Sequence, residues 1–312
     1  MEKVLIALGG NALLRAEDKG TYEDQIKHVK ETASQFLKII EAGYQLAITH
    51  GNGPQVGAIL LQNEIAKDQI PSMPLDICGA ESQGLIGYML QREFYNVLEE
   101  VKLGISIVAL LTQVLVNKND PAFENPTKPI GPFYSEEEKI KLEKEKKWKM
   151  IYQENKGYRR VVPSPIPIDI VEGEIIKELY DNKVIVISCG GGGIPVIRRD
   201  DGSLMGVEAV IDKDNTGAVL AKKIGADTFM ILTDVEKVYL NFGKKNQKEL
   251  NKITVAEAKK YIEEEEFGTG SMKPKVEAAC RFLEQGGKKV IITALEKSVN
   301  ALRGLTGTVI TL

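Results

Sequence analysis

The chain has 312 residues, enough for one large α/β domain or two closely joined lobes around a substantial core. Lys and Arg number 41 against 44 Asp and Glu, a net charge of −3, which leaves no basic footprint for nucleic acid. No apolar run is long enough to cross a bilayer, and two histidines, His28 and His50, make a His-based metal site a poor reading.

The first strand signal is Val4-Leu-Ile-Ala-Leu8, a continuous apolar run that stops at Gly9-Gly10-Asn11. Nothing before it reads as a secretory leader, and Cys78, Cys189 and Cys280 have no metal or disulfide spacing. Reduced thiols and a cytoplasmic location are therefore expected. Tyr22, Ile26, Val29, Ala33, Phe36, Leu37 and Ile40 recur at helical spacing, and Gly43 ends that helix. A second strand, Leu46-Ala-Ile-Thr49, runs into His50-Gly-Asn-Gly-Pro54. Two helices and a strand over residues 105–111 come next. This alternation predicts an α/β fold with a mainly parallel sheet.

Residues 117–167 break the rhythm with a proline-rich run and a very charged helical stretch, predicting an excursion away from the sheet. Alternation resumes with a helix expected over 169–183 and a buried strand over 184–189 that ends in four glycines, residues 190–193. A hairpin follows around Asp201-Gly202, then a strand expected over 207–211. That run stops at Asp212-Lys213-Asp214, where Asp212 or Asp214 can cap a new helix. Residues 228–234 read as another buried strand, and Thr254-Val-Ala-Glu257 is a capping box. Gly268-Thr-Gly-Ser-Met-Lys-Pro-Lys275 precedes the last long helix, and two closing strands end the chain. A two-lobed division near residue 180 fits this pattern.

Four glycine-rich turns, at Gly9-Gly10, Gly51-Asn52-Gly53, residues 190–193 and Gly206, are expected at strand ends. Ligands of open parallel sheets bind there, and glycine lets bare amides approach an anion. The phosphate loop G-x-x-x-x-G-K-S/T is absent, as are protein-kinase motifs. A loose G-x-G-x-x-x-G at Gly51 keeps a dehydrogenase reading open, although no acidic residue follows a second strand at the proper distance. Three lysines sit in restrained settings: Lys128 in Asn-Pro-Thr-Lys-Pro, Lys213 between two aspartates, Lys275 in Met-Lys-Pro-Lys. Singly, each would be a solvated surface charge. Together, beside glycine turns, they suit phosphoryl transfer, which needs cations around a charge-rich transition state.

These segments resemble the carbamate kinase family, within the amino acid kinase fold. The likeness covers essentially the whole chain and rests on long ordered motifs. They include Ala7-Leu-Gly-Gly-Asn-Ala12, Thr49-His-Gly-Asn-Gly-Pro-Gln-Val-Gly57, Asn125-Pro-Thr-Lys-Pro-Ile-Gly-Pro-Phe133, Gly206-Val-Glu-Ala-Val-Ile-Asp-Lys-Asp214 and Gly270-Ser-Met-Lys-Pro-Lys275. It implies a three-layer αβα sandwich with a small protruding subdomain at about 117–167. It implies an N-terminal lobe (1–180) for carbamate or carbamoyl phosphate, a C-terminal lobe (181–312) for ATP or ADP with Mg²⁺, and a homodimer. Arginine or agmatine breakdown running toward ATP is the implied role. On this reading Lys128, Lys213, Asp214 and Lys275 serve catalysis. Gly9, Gly10, Asn11, Gly51, Asn52 and Gly53 receive substrate oxygens, and Thr233, Asp234, Ser271 and Met272 lie on the nucleotide side. Mg²⁺ is expected on the nucleotide phosphates rather than in a protein cage. Anabolic carbamoyl phosphate synthesis and a non-catalytic nucleotide or anion sensor remain the alternatives.

Overall fold

The computed structural model describes residues 1–15, 17–154, 156–267 and 272–312, with only the backbone at Asn11. In chain order the elements begin β1 (Lys3–Leu8), α1 (Tyr22–Glu41), β2 (Gln45–His50), α2 (Gly53–Ala66), α3 (Leu75–Glu100), β3 (Ile107–Ala109) and β4 (Gln113–Val116). The excursion holds β5 (Lys128–Tyr134), α4 (Glu136–Lys146), β6 (Lys149–Gln153) and β7 (Gly157–Val162). Then come β8 (Pro167–Ile170), α5 (Gly173–Asp181), β9 (Ile185–Ile187), β10 (Ile194–Arg198), β11 (Leu204–Gly206), α6 (Lys213–Lys223) and β12 (Thr228–Leu232). The chain closes with β13 (Val238–Leu240), β14 (Lys248–Leu250), β15 (Lys252–Thr254), α7 (Val255–Glu263), α8 (Met272–Glu284), β16 (Lys289–Thr293), α9 (Ser298–Leu302) and β17 (Thr308–Thr311).

Among the described residues, eight strands form one sheet in the order β15-β17-β16-β12-β1-β2-β9-β3. All its pairings are parallel except β16 with β17. The central strands are apolar on both faces because helices cover both. Along β1 the side chains alternate. Leu5 and Ala7 join a core with α5, α6 and α8, whereas Val4, Ile6 and Leu8 join a second core with α1, α3 and α9. Two cores flanking one sheet are the three-layer sandwich. Because β9 lies between β2 and β3, strands from both halves of the chain interleave.

Local signals explain most boundaries. Thr21 and Asp24 form a reciprocal capping box on α1, and Gly43 leaves the helix with φ +88°. Thr254 and Glu257 do the same for α7. The excursion forms its own sheet, β5-β7-β6, with α4 packed on it.

Three expectations are corrected. The helix expected over 169–183 begins only at Gly173, because Asp169 and Ile170 pair with β4 as β8. Residues 207–211 are not a strand. The Val207 amide still donates to Pro195, but Ala209 turns back to donate to Val207, and the Val210 amide goes to Pro163 in the excursion. The third strand is confined to residues 107–109, whereas α3 starts as early as Leu75. A further sheet, β11-β10-β4-β8, stands beside the main one.

Candidate functional site

Strands β1, β2 and β9 are neighbours, so three of the glycine turns emerge side by side. At the first, Gly10 opens a single 3₁₀ turn, Gly10–Ala12. At the second, the Gly51 amide donates to Leu8 O at 3.1 Å. A Cβ on Gly51 would stand 3.5 Å from Gly10 N and 3.6 Å from Lys213 Cδ, so the two turns and the start of α6 meet at this point. A Cβ on Gly9 would come within 3.0 Å of the Leu232 carbonyl, at the end of β12.

The third turn has a different job from the expected anion cradle. Gly190, Gly191 and Gly192 are buried. A Cβ at Gly190 would fall 2.4 Å from the His50 ring, one at Gly191 2.1 Å from the Asn52 amide, and one at Gly192 2.2 Å from the Ile211 carbonyl. This turn is glycine so that the second turn can be pressed against it. Gly206 is likewise a packing glycine on β11, where a Cβ would strike the Asp76 carboxylate at 1.8 Å. Asp76 itself lies in the first turn of α3, not after a strand, which removes the remaining support for a dinucleotide fingerprint.

Asp212 caps α6, accepting the Asp214 amide at 2.9 Å and the Asn215 amide at 3.3 Å on Oδ1. Lys213 and Asp214 are thus the first two residues of the helix, whose dipole favours anions, although the cap already takes the Asp214 and Asn215 amides. Lys213 Nζ lies 2.5 Å from Asp214 Oδ1, and Lys275 Nζ, from the first turn of α8, lies 3.1 Å from Asp214 Oδ2. All three side chains are buried or nearly so, at 12, 3 and 10% exposure for Lys213, Asp214 and Lys275. Two ammonium groups share one carboxylate, so the cluster keeps a net positive charge in a poorly hydrated place. Burial pulls the Lys213 ammonium below the usual lysine range, with Lys275 adding to that and Asp214 opposing it.

Lys128, the first residue of β5, reaches back from the excursion. Its Nζ lies 2.9 Å from Asp212 Oδ2, and its side chain stays 35% exposed. Burial alone would raise the Asp212 carboxyl; the charge and hydrogen bond of Lys128, with Lys213 and the Asp214 amide, bring it down to about 2. The excursion is further tied down by ion pairs from Lys146 to Glu64 and from Arg160 to Glu208.

A layer of buried polar groups holds the turns, and residue patterns alone did not assign these groups a role. Asn52 Nδ2 donates to Ser82 Oγ at 2.8 Å, and Ser82 Oγ donates to Gly79 O at 2.6 Å. Gln83 Nε2 donates to Gly190 O at 2.9 Å and to Thr112 O at 3.2 Å, while its Oε1 accepts the Thr112 amide at 2.9 Å. Thr216 Oγ1 donates to Gly192 O at 2.8 Å. Two adjacent polar residues on a buried helix face, Ser82-Gln83, are the sequence feature by which this layer could have been found. His50 is buried, and its Nδ1 lies 2.9 Å from Gly51 O. Burial, helped by the Lys213 charge and opposed by that hydrogen bond, lowers the imidazole to about 4, so it is neutral at pH 7. A neutral ring donating from Nδ1 fixes the orientation of the Gly51 carbonyl.

Among the other expected residues, Thr233 and Asp234 follow β12 and, with Gly9, Leu232 and residues 294–296, line a cavity of about 340 Å³. Met272 starts α8 and packs, partly buried, against the core. Gly53 is the exposed first residue of α2. Ser271 and the side chain of Asn11 lie outside the described residues. Among the described residues, no three or more His, Cys, Asp or Glu side chains converge in a way that could hold a metal ion, and no helix is long and apolar enough to cross a membrane.

Fold and site together define an α/β protein that collects lysines and bare amides over strand ends, a place for phosphate and other anions. The model of the "Amino acid kinase family" matches residues 2–294. A carbamate kinase of Pyrococcus furiosus is 51% identical over 309 residues, covering 98% of each chain. One of Halobacterium salinarum is 49% identical over 310 residues, covering 99% of this chain and 98% of the relative. The structure of a Giardia lamblia carbamate kinase bound to AMP-PNP superposes with a TM-score of 0.94 at 46% identity, over 99% of this chain and 98% of that one. The chain belongs to the amino acid kinase family and, within it, to the carbamate kinases.

Proposed function

We propose that this protein catalyses reversible phosphoryl transfer, ATP + carbamate ⇌ ADP + carbamoyl phosphate. The observation that carries this reading is the convergence of Lys213 and Lys275 on Asp214, beside Gly10 and Gly51. The attacking carbamate oxygen already bears negative charge, so no general base is required. The barrier lies in bringing two anions together in line, which oriented cations and amides lower. In this mechanism Lys213 and Lys275 flank the transferring phosphoryl group and Asp214 fixes both ammonium positions. The amides at Gly9, Gly10, Asn11, Asn52 and Gly53 receive phosphoryl and carbamate oxygens, whereas that of Gly51 is already taken by Leu8 O, so Gly51 serves by letting the turn approach closely. Lys128 closes the site from the excursion and helps keep water from labile carbamoyl phosphate.

The nucleotide is placed over the second half of the chain, with Thr233, Asp234, Ser271 and Met272 beside it; the cavity at Thr233 and Asp234 supports this placement. Mg²⁺ would arrive on the nucleotide phosphates and add positive charge there. A homodimer, a cytoplasmic location and a role making ATP in arginine or agmatine breakdown complete the reading. Measured affinities compared with cellular substrate levels separate that role from anabolic synthesis. The deciding assay follows ATP made from ADP and carbamoyl phosphate, with ATP consumption on acetylglutamate and UMP run beside it. ATP formed from carbamoyl phosphate, without turnover of the rival acceptors, is the expected result. No ATP from carbamoyl phosphate removes the reading, and binding of nucleotide without turnover would favour a sensor.

A further inference from the structure

We propose that Asp212 is a positioning residue that presents the lid lysine, Lys128, to the carbamoyl substrate while holding the start of α6. Its two carboxylate oxygens have separate tasks. Oδ1 accepts the amides of Asp214 and Asn215 and so sets the first turn that carries Lys213 and Asp214. Oδ2 accepts Lys128 Nζ at 2.9 Å. One side chain therefore joins the excursion to the catalytic lysine cluster, across 84 positions of sequence.

A lysine on a four-carbon stem has many rotamers and three donors. One donor is engaged by Asp212, which confines the ammonium beside Lys213 and leaves two donors for an anion. Preorganisation of this kind favours binding because the ordering cost is met before the ligand arrives. Among the described residues, the other ion pairs from the excursion to the rest of the chain, Lys118 with Asp200, Lys146 with Glu64 and Arg160 with Glu208, involve none of the residues of the lysine cluster. Asp212 is thus the side chain, among these ion pairs, through which the position of the excursion is felt at the site.

This inference rests on the carbamate kinase reading, and the test separates the two. Asp212→Asn and Asp212→Ser remove the charge yet keep a good helix cap, so the melting temperature should stay close to wild type. The KM for carbamoyl phosphate is expected to rise about fivefold in both, the scale of a half-exposed ion pair, with kcat within about twofold. In a Lys128→Ala background the same substitutions should add nothing, because Asp212 acts through Lys128. An unchanged or lowered KM would overturn the proposal; a lowered KM would mean that the carboxylate repels substrate or sequesters Lys128. A fivefold rise that persists without Lys128 would overturn it too. Wild-type protein that makes no ATP from carbamoyl phosphate defeats the underlying reading, whereas active wild type with normal Asp212 variants defeats this inference alone.

Discussion

Lys275 Nζ lies 3.1 Å from Asp214 Oδ2, joining the first turn of α8 to the second residue of α6 across 61 positions of sequence. Since Lys213 occupies the other oxygen of the same carboxylate, the two cations are held a fixed distance apart by one rigid planar group. Withdrawing either lysine would break a buried ion pair and leave one carboxylate oxygen without its partner, which is costly. The arrangement is therefore set before substrate binds, as electrostatic catalysis demands.

Replacing either lysine should chiefly affect turnover. Lys213→Ala and Lys275→Ala are each expected to lower kcat by about a hundredfold or more, the scale of losing an oriented charge donor. Steady-state rates of ATP formation from ADP and carbamoyl phosphate provide the measurement. Near-normal kcat in both variants would remove these lysines from the reaction.

The lowered Lys213 ammonium predicts where activity fails at high pH. An exposed lysine loses its proton near pH 10.4. Burial brings that loss to lower pH at Lys213. On the proposed mechanism the cation is needed, so kcat/KM, which reports the groups of the free enzyme, should fall on an alkaline limb centred below 10.4, at pH values where the fold persists. A limb at or above the ordinary lysine value would show that the titrating group is another one.

Much of this site was legible because its parts carry local signals. Apolar runs ending in glycine marked β1 and β2, and an aspartate before a small-residue helix marked α6. What was not legible depended on tertiary pairing. The apolar run at 207–211 has strand composition but loses its ladder after Val207, where the next amides turn to other partners. Asp169 and Ile170 read as helix, yet Val114 and Leu115 supply an edge for them to pair with. The four glycines at 190–193 promised open amides, but His50, Asn52 and Ile211 fill the space a side chain would need. Asp212 was recognisable as a cap, whereas nothing near it in sequence pointed to Lys128.

The β3 edge predicts self-association. Among the described residues, β3 ends the main sheet, and Leu85, Tyr88, Tyr95 and Leu111 are exposed apolar side chains close to it. Tyr88, Tyr95, Ile107 and Leu111 line a shallow cavity of about 500 Å³. A second copy of the chain applied to this face would cover both the apolar patch and the open edge. Light scattering is expected to give the mass of a dimer, and Tyr88→Glu with Leu111→Glu should shift it toward monomer. A wild-type mass of one chain at micromolar concentration would contradict this.

All three cysteines are free and buried. Burial pushes the Cys78 and Cys280 thiols up to about 11 and raises Cys189 as well. Because the thiolate is the reactive form, an aromatic disulfide reagent should label none of them quickly in the native protein and all three in denaturant. Rapid labelling of one thiol before unfolding would locate a segment that opens readily.

His50 makes the fold sensitive to acid in a direction opposite to a paired histidine. Its folded value, about 4, lies below the ordinary 6.5. Above pH 6.5 the ring is neutral in both folded and unfolded chains, so it adds no pH dependence. Between 6.5 and 4 only the unfolded chain takes up the proton, and stability falls as pH falls. Below 4 both states are protonated and the loss levels off. At about 1.4 kcal/mol per unit, the full loss is roughly 3 kcal/mol. Carboxylates also titrate in this window, so the contribution is read by difference from His50→Gln, which has no such titration. Urea unfolding at pH 7 and pH 4.5 should show wild type losing about 2 kcal/mol more than the variant, which is itself less stable at pH 7 because the ring packs against Gly190. Equal losses in the two proteins would mean that the imidazole is hydrated in the native state, and that the Gly51 carbonyl is not held by a neutral ring.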